Sequence, residues 1–80
     1  MELEDDMTLD QLTPGQECRV CDVNLEGAQL QRLLDMGFIE GTLVKIIRNA
    51  PLLDPLDVEI RGYLIAIRRN EAMGVEVEVA

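Results

Sequence analysis

Eighty residues, 48% of them hydrophobic, suffice for one small domain with a single core. Sixteen acidic against seven basic side chains give a formal net charge of -9, a field that repels phosphate backbones and excludes nucleic-acid binding by this chain alone. No apolar run approaches the roughly 18 residues needed to span a bilayer, and no signal peptide precedes the fold, so the expectation is a soluble cytoplasmic protein without direct membrane insertion.

Residues 1–6 carry Glu2, Glu4, Asp5 and Asp6 and read as a solvated acidic tail ahead of a single domain over 7–80. Thr8, with Gln11 three positions on, has the pattern of a capping box, and Met7 and Leu12 occupy the hydrophobic-staple positions around it. A helical turn over 9–12 follows, ended by Pro14-Gly15, with Leu9 and Leu12 plugging one end of the core.

Residues 17–25 read as the first strand, but the alternation changes phase. Cys18 and Val20 share one face, while Cys21, Val23 and Leu25 share the other. A bulge or sharp bend between Val20 and Cys21 would bring both sets to one core.

A helix follows over 28–36, with Leu30, Leu33 and Leu34 at helical spacing. Gly37 stands at the C′ position, where a left-handed residue is needed and glycine has no Cβ penalty. Phe38 and Leu33 then form the C″ and C3 apolar pair of a Schellman cap. Gly41 marks a second turn before a strand over 42–49, with Val44 and Ile46 on one face and Leu43 and Ile47 on the other.

Pro51 and Pro55 bracket an exposed loop that brings Leu52 and Leu53 near solvent, an apolar anchor for a partner. In the next strand Val58 and Ile60 point inward, while Asp57, Glu59 and Arg61 point outward. Arg61-Gly62 is a tight hairpin turn into 63–68, whose near-continuous apolar character implies burial on both faces. Residues 70–73 read as a helical turn before Gly74. Val75, Val77 and Val79 then alternate with Glu76 and Glu78 as a final strand. About five short strands, with one α-helix between the first and second, give a mainly β protein whose economical closure is a small antiparallel barrel.

Cys18-Arg19-Val20-Cys21 has the spacing of half a zinc knuckle or of a redox pair. A closed zinc site needs four ligands, and the chain has no histidine and no second cysteine pair. A redox pair needs a helix N-terminus, whereas these cysteines fall in a strand, where positions three apart face opposite sides. Two buried free thiols are therefore expected.

The pairs Asp57/Glu59 and Glu76/Glu78 sit on strand exteriors, no nucleophile has a histidine partner, and no P-loop lysine is present. The expectation is no enzyme. Arg48, Arg61, Arg68 and Arg69 either pair with neighbouring carboxylates or form a cationic patch for an acidic partner. Phe38 and Tyr63 are the only aromatics, too few to line the groove with which signalling SH3 domains read peptides.

Four segments in order carry a family resemblance: Arg32-Leu33-Leu34-Asp35-Met36-Gly37-Phe38, Asn49-Ala50-Pro51-Leu52-Leu53-Asp54-Pro55, Val58-Glu59-Ile60-Arg61-Gly62 and Leu64-Ile65-Ala66-Ile67-Arg68. With the alternating tail, they resemble the ferrous iron transport protein A family over residues 9–79. The resemblance implies an SH3-like barrel and an accessory role in bacterial ferrous iron uptake. It implies as partner ferrous iron transport protein B, a permease with a cytoplasmic GTPase domain. It implies no cofactor beyond weak binding of a transition metal ion, for which Cys18 and Cys21 are the candidates.

Met36, Phe38, Leu52, Leu53 and Arg61 are the expected partner-facing residues, and Gly37, Gly41, Pro51 and Pro55 the structural ones. Leu53 stands where the family usually has glycine before the Asp-Pro pair. Similar modules end the iron-dependent repressors, so the alternative is a metal-responsive regulatory module. A DNA-binding helical region would decide for it, and the chain carries none.

Overall fold

The alternating valines of the C-terminal strand do not sit at the margin of the sheet. In the computed structural model, which describes residues 7–49 and 54–80, the strand order is β1-β6-β2-β3-β4-β5, with antiparallel pairing throughout. The strands are β1 (Met7–Thr8), β2 (Glu17–Val23), β3 (Leu43–Asn49), β4 (Leu56–Ile60), β5 (Tyr63–Ile67) and β6 (Val75–Val79). Helix α1 (Gly27–Met36) joins β2 to β3, a 3-10 turn (Leu9–Gln11) follows β1, and α2 (Arg69–Ala72) follows β5. The mainly β class with one short helix is observed. Among the described residues the strands number six where about five were expected, because Met7 and Thr8 pair with Val77 and Glu76 in a strand too short to show a period.

The sheet's two edges are drawn together by their helical turns. Arg69 Nη1, on α2, donates to the Asp10 carbonyl in the 3-10 turn at 2.8 Å. The curled sheet encloses one core in which Leu9, Leu33, Phe38, Val44, Ile46, Leu56, Val58, Ile67 and Val75 are all fully buried. The Thr8 amide donates to Gln11 Oε1 at 2.9 Å, as a capping box requires, and Leu9 and Leu12 are both buried.

The expected bulge is present. Val20 pairs with Val77 and Asp22 with Glu76, which leaves Cys21 as the extra residue. That extra residue reverses the phase, so Val23 reaches the core from the same strand as Cys18 and Val20. It also turns Cys21 outward. The expectation of two buried thiols holds for Cys18 and fails for Cys21, which is exposed. A second bulge, not expected, sets Ile46 against Val58 and Arg48 against Asp57, with Ile47 the extra residue.

Burial of 63–68 on both faces is also overturned. β5 is the last strand of the sheet, and Tyr63 and Leu64 are 72% and 63% exposed. Only Ile67 of this strand is fully buried. The Arg61-Gly62 turn has φ of +54° and +83° at its two central residues, the signature of a type I′ hairpin matched to strand twist.

Helix α1 ends as its sequence requires. Gly37 has φ +107°, its amide donates to the Leu34 carbonyl at 3.0 Å, and the Phe38 amide donates to the Leu33 carbonyl at 3.0 Å. Those are the two bonds of a Schellman motif. The opposite flank of α1 is tied by Arg32, whose guanidinium pairs with Glu71 on α2. Glu71 is only 6% exposed, and its other oxygen accepts the Arg68 amide at 3.4 Å. A buried carboxylate tolerates desolvation only with such partners. Arg48 pairs with Asp57 across β3 and β4 at 2.8 Å, an exposed bridge worth at most about 1 kcal/mol.

Candidate functional site

Among the described residues, two shallow grooves stand out on the surface. The first, about 310 Å³, runs over the outer face of β2, β3 and β4 and is lined by Glu17, Thr42, Leu43, Lys45, Glu59, Arg61 and Gly62. Its charges are internally matched, since Lys45 stands opposite Glu17 on one side and Glu59 on the other. The second, about 280 Å³, lies between α1 and the bulge of β2. Leu30 and Leu34 supply one wall, Ile39 and Cys21 another, and Phe38 and Val23 the floor, with Asp22 and Glu40 among the lining residues. The helix carries three leucines on its apolar side, of which only Leu33 is fully buried; Leu34 is 36% exposed and Ile39, just beyond the cap, 46%.

The expected partner-facing residues separate. Phe38 is 0% exposed and does not project to a partner; as the C″ residue of the cap it is pulled under the helix end, where it lies beneath the second groove. Met36 is partly buried and packs against the core. Arg61 is exposed in the hairpin turn, and its Cδ passes 3.9 Å from where a Cβ on Gly37 would stand, so the helix end and this turn do meet. Leu52, Leu53 and Pro51 lie outside the described residues. Gly41 has φ +90° in its turn, and Pro55 is exposed. Sequence spacing does not mark Leu30, Leu34, Ile39, Asp22 and Glu40 as a site. The surplus of leucines on α1 is the one available signal for them.

The two cysteines differ in their surroundings. Cys18 is buried and Cys21 exposed, and among the described residues no three Cys, Asp or Glu groups gather closely enough to hold an ion. Burial, and to a lesser degree the neighbouring Cys21, push the Cys18 thiol up from 9.0 to about 11. A metal would have to remove that proton from a desolvated thiol.

The same shift predicts a pH dependence. Below pH 9.0 the thiol is protonated in both states and its contribution to stability is complete. As pH rises from there toward 11, the unfolded chain loses the proton first and the fold weakens. Urea titrations at pH 8 and pH 11 should show wild type losing about 1–2 kcal/mol more than Cys18→Ala across that interval. Equal losses would mean that Cys18 is not desolvated.

A family model described as the FeoA domain matches residues 7–79, almost the whole chain. The chain belongs to the FeoA family. A protein of Porphyromonas gingivalis in which Fe(2+) transport protein A is fused to the Fe(2+) transporter FeoB is 34% identical over 73 residues, which cover 91% of this chain and 9% of the fusion. This chain therefore corresponds to a small part of that polypeptide.

The FeoA protein of Chlorobium tepidum, solved by solution NMR, superposes with a TM-score of 0.86 at 41% identity, covering 91% of this chain and 70% of that one. The Stenotrophomonas maltophilia FeoA complexed with zinc, described as a prokaryotic SH3-domain protein, superposes at 0.79 with 32% identity, covering 90% and 89%. The FeoA fold, described in the Stenotrophomonas relative as an SH3 domain, is thus established for this chain. No helix among the described residues is long and apolar enough to cross a membrane.

Proposed function

We propose that this FeoA domain binds the cytoplasmic part of the ferrous iron transporter FeoB and tunes its transport or nucleotide turnover, with no chemistry of its own. The observation that carries the reading is the fusion of a FeoA segment to FeoB in one relative. A covalent link raises the local concentration of one domain at the other to roughly millimolar, an advantage only if the two associate. A separate FeoA domain must supply the association through its surface, and the exposed apolar side chains around α1 and β5 are available for it.

Titration calorimetry of the full chain against the FeoB cytoplasmic region, in both nucleotide states, and against intact FeoB in detergent is the test. Saturable one-to-one binding to at least one of them is expected. Absence of binding to all three overturns the proposal.

A tight resident metal is not part of this reading, because Cys18 is buried, its thiol holds its proton to about pH 11, and no group of three Cys, Asp or Glu gathers among the described residues. Zinc titrated into the reduced protein should bind only weakly. A stoichiometric, submicromolar complex abolished in the Cys18→Ser/Cys21→Ser double variant would contradict that expectation.

A further inference from the structure

We propose that the groove between α1 and β2 takes a Lys/Arg-rich segment with a leucine-sized apolar anchor, of the kind that flanks a membrane span on the cytoplasmic side. The inference rests on the reading that the partner is FeoB, and it adds which surface is used and what chemistry that surface selects.

The groove has an apolar floor and walls, with Leu34 and Ile39 both open to solvent. Its charged lining residues are Asp22 and Glu40, and among the described residues no lysine or arginine lines it. One oxygen of Asp22 accepts the Val23 amide at 2.8 Å, which orients the carboxylate at the bulge. Arg19, on the same strand, directs its guanidinium to the Gly41 carbonyl at 3.1 Å. The groove on the outer face of β2, β3 and β4 differs. Glu17, Glu59, Lys45 and Arg61 there give matched signs, so it exerts no selection by charge.

The occupant follows from charge. Cytoplasmic flanks of membrane spans carry an excess of Lys and Arg. A chain at -9 is drawn to such a flank and repelled by the anionic headgroups around it. A buried apolar anchor supplies most of the affinity in such contacts, while rim charges set orientation and salt dependence. Here the anchor would lie over Phe38 between Leu34 and Ile39, with its basic neighbours at Asp22 and Glu40.

The experiment uses the full chain and intact FeoB in detergent, with binding measured at low and moderate salt. Two double variants alter the groove, Leu34→Ser/Ile39→Ser and Asp22→Asn/Glu40→Gln. A third, Lys45→Gln/Leu64→Ser, alters the sheet surface away from it, and amide spectra check that all three remain folded. Each groove variant should weaken binding about tenfold, and the carboxamide pair should also flatten the salt dependence. The sheet variant should change affinity less than about twofold. Synthetic peptides copying the membrane-flanking cytoplasmic segments of FeoB should shift the amides of residues 21–23 and 34–40.

If intact FeoB binds wild type and both groove variants alike, this proposal falls while the partnership stands. It falls equally if the peptides shift residues 43–45 and 59–62 instead. If intact FeoB does not bind wild type, the partnership falls and this inference with it.

Discussion

Phe38→Ala is expected to lower stability by about 3–5 kcal/mol, the usual cost of emptying a buried aromatic site. Among the described residues Phe38 is the largest fully buried side chain, and the other aromatic, Tyr63, is 72% exposed, so the core has no second ring to close over the gap. A domain of this size has a total stability on the order of 4–12 kcal/mol, and the variant should sit near the edge of folding. Phe38→Leu keeps most of the volume and should cost no more than about 1.5 kcal/mol. Urea denaturation of the three proteins at constant m separates them. A loss below about 1 kcal/mol for alanine would mean that the ring is not in the core. Because the same ring floors the α1–β2 groove, the leucine variant should also alter partner binding modestly while remaining folded.

Phe38 shows where sequence reading succeeds and where it fails. Its place as C″ of a Schellman cap follows from local geometry, since the leucine spacing and Gly37 fix it within a few residues. The same placement requires packing against Leu33, so it already argues for burial and against a partner-facing role. The bulge at Cys21 is legible for a similar reason: two apolar phases in one strand can share a core only through an inserted residue.

Errors arise where the outcome depends on distant chain. A short apolar run such as Tyr63–Ile67 has the same composition at a sheet edge as at its centre, and only the strand order makes it an edge. The Arg32–Glu71 pair joins residues 39 apart in sequence, beyond any spacing rule. The α1–β2 groove needs a helix face, a bulge and the turn after the cap to converge, so its acidic rim has no local signature.

Gly37→Val should cost about 1–3 kcal/mol, and the reason is backbone conformation rather than collision. At φ +107° and ψ 8° the residue lies where side chains with a Cβ are strained. The nearest atom to an added Cβ is Ile60 Cδ1 at 3.5 Å, an ordinary contact, so space alone would tolerate alanine. The loss of glycine's freedom in the unfolded chain returns about 0.4–1 kcal/mol, which partly offsets the strain. The expected order of destabilisation, from least to most, is therefore asparagine, then alanine, then valine. Asparagine tolerates left-handed backbone best, and a β-branched side chain least.

A steric origin would give a different order, because asparagine is larger than alanine and would then be worse. Denaturant titration of the three variants distinguishes the two. Should all three be neutral, the two amide bonds that close α1 would have to survive without the left-handed residue, and the cap could not be what ends the helix.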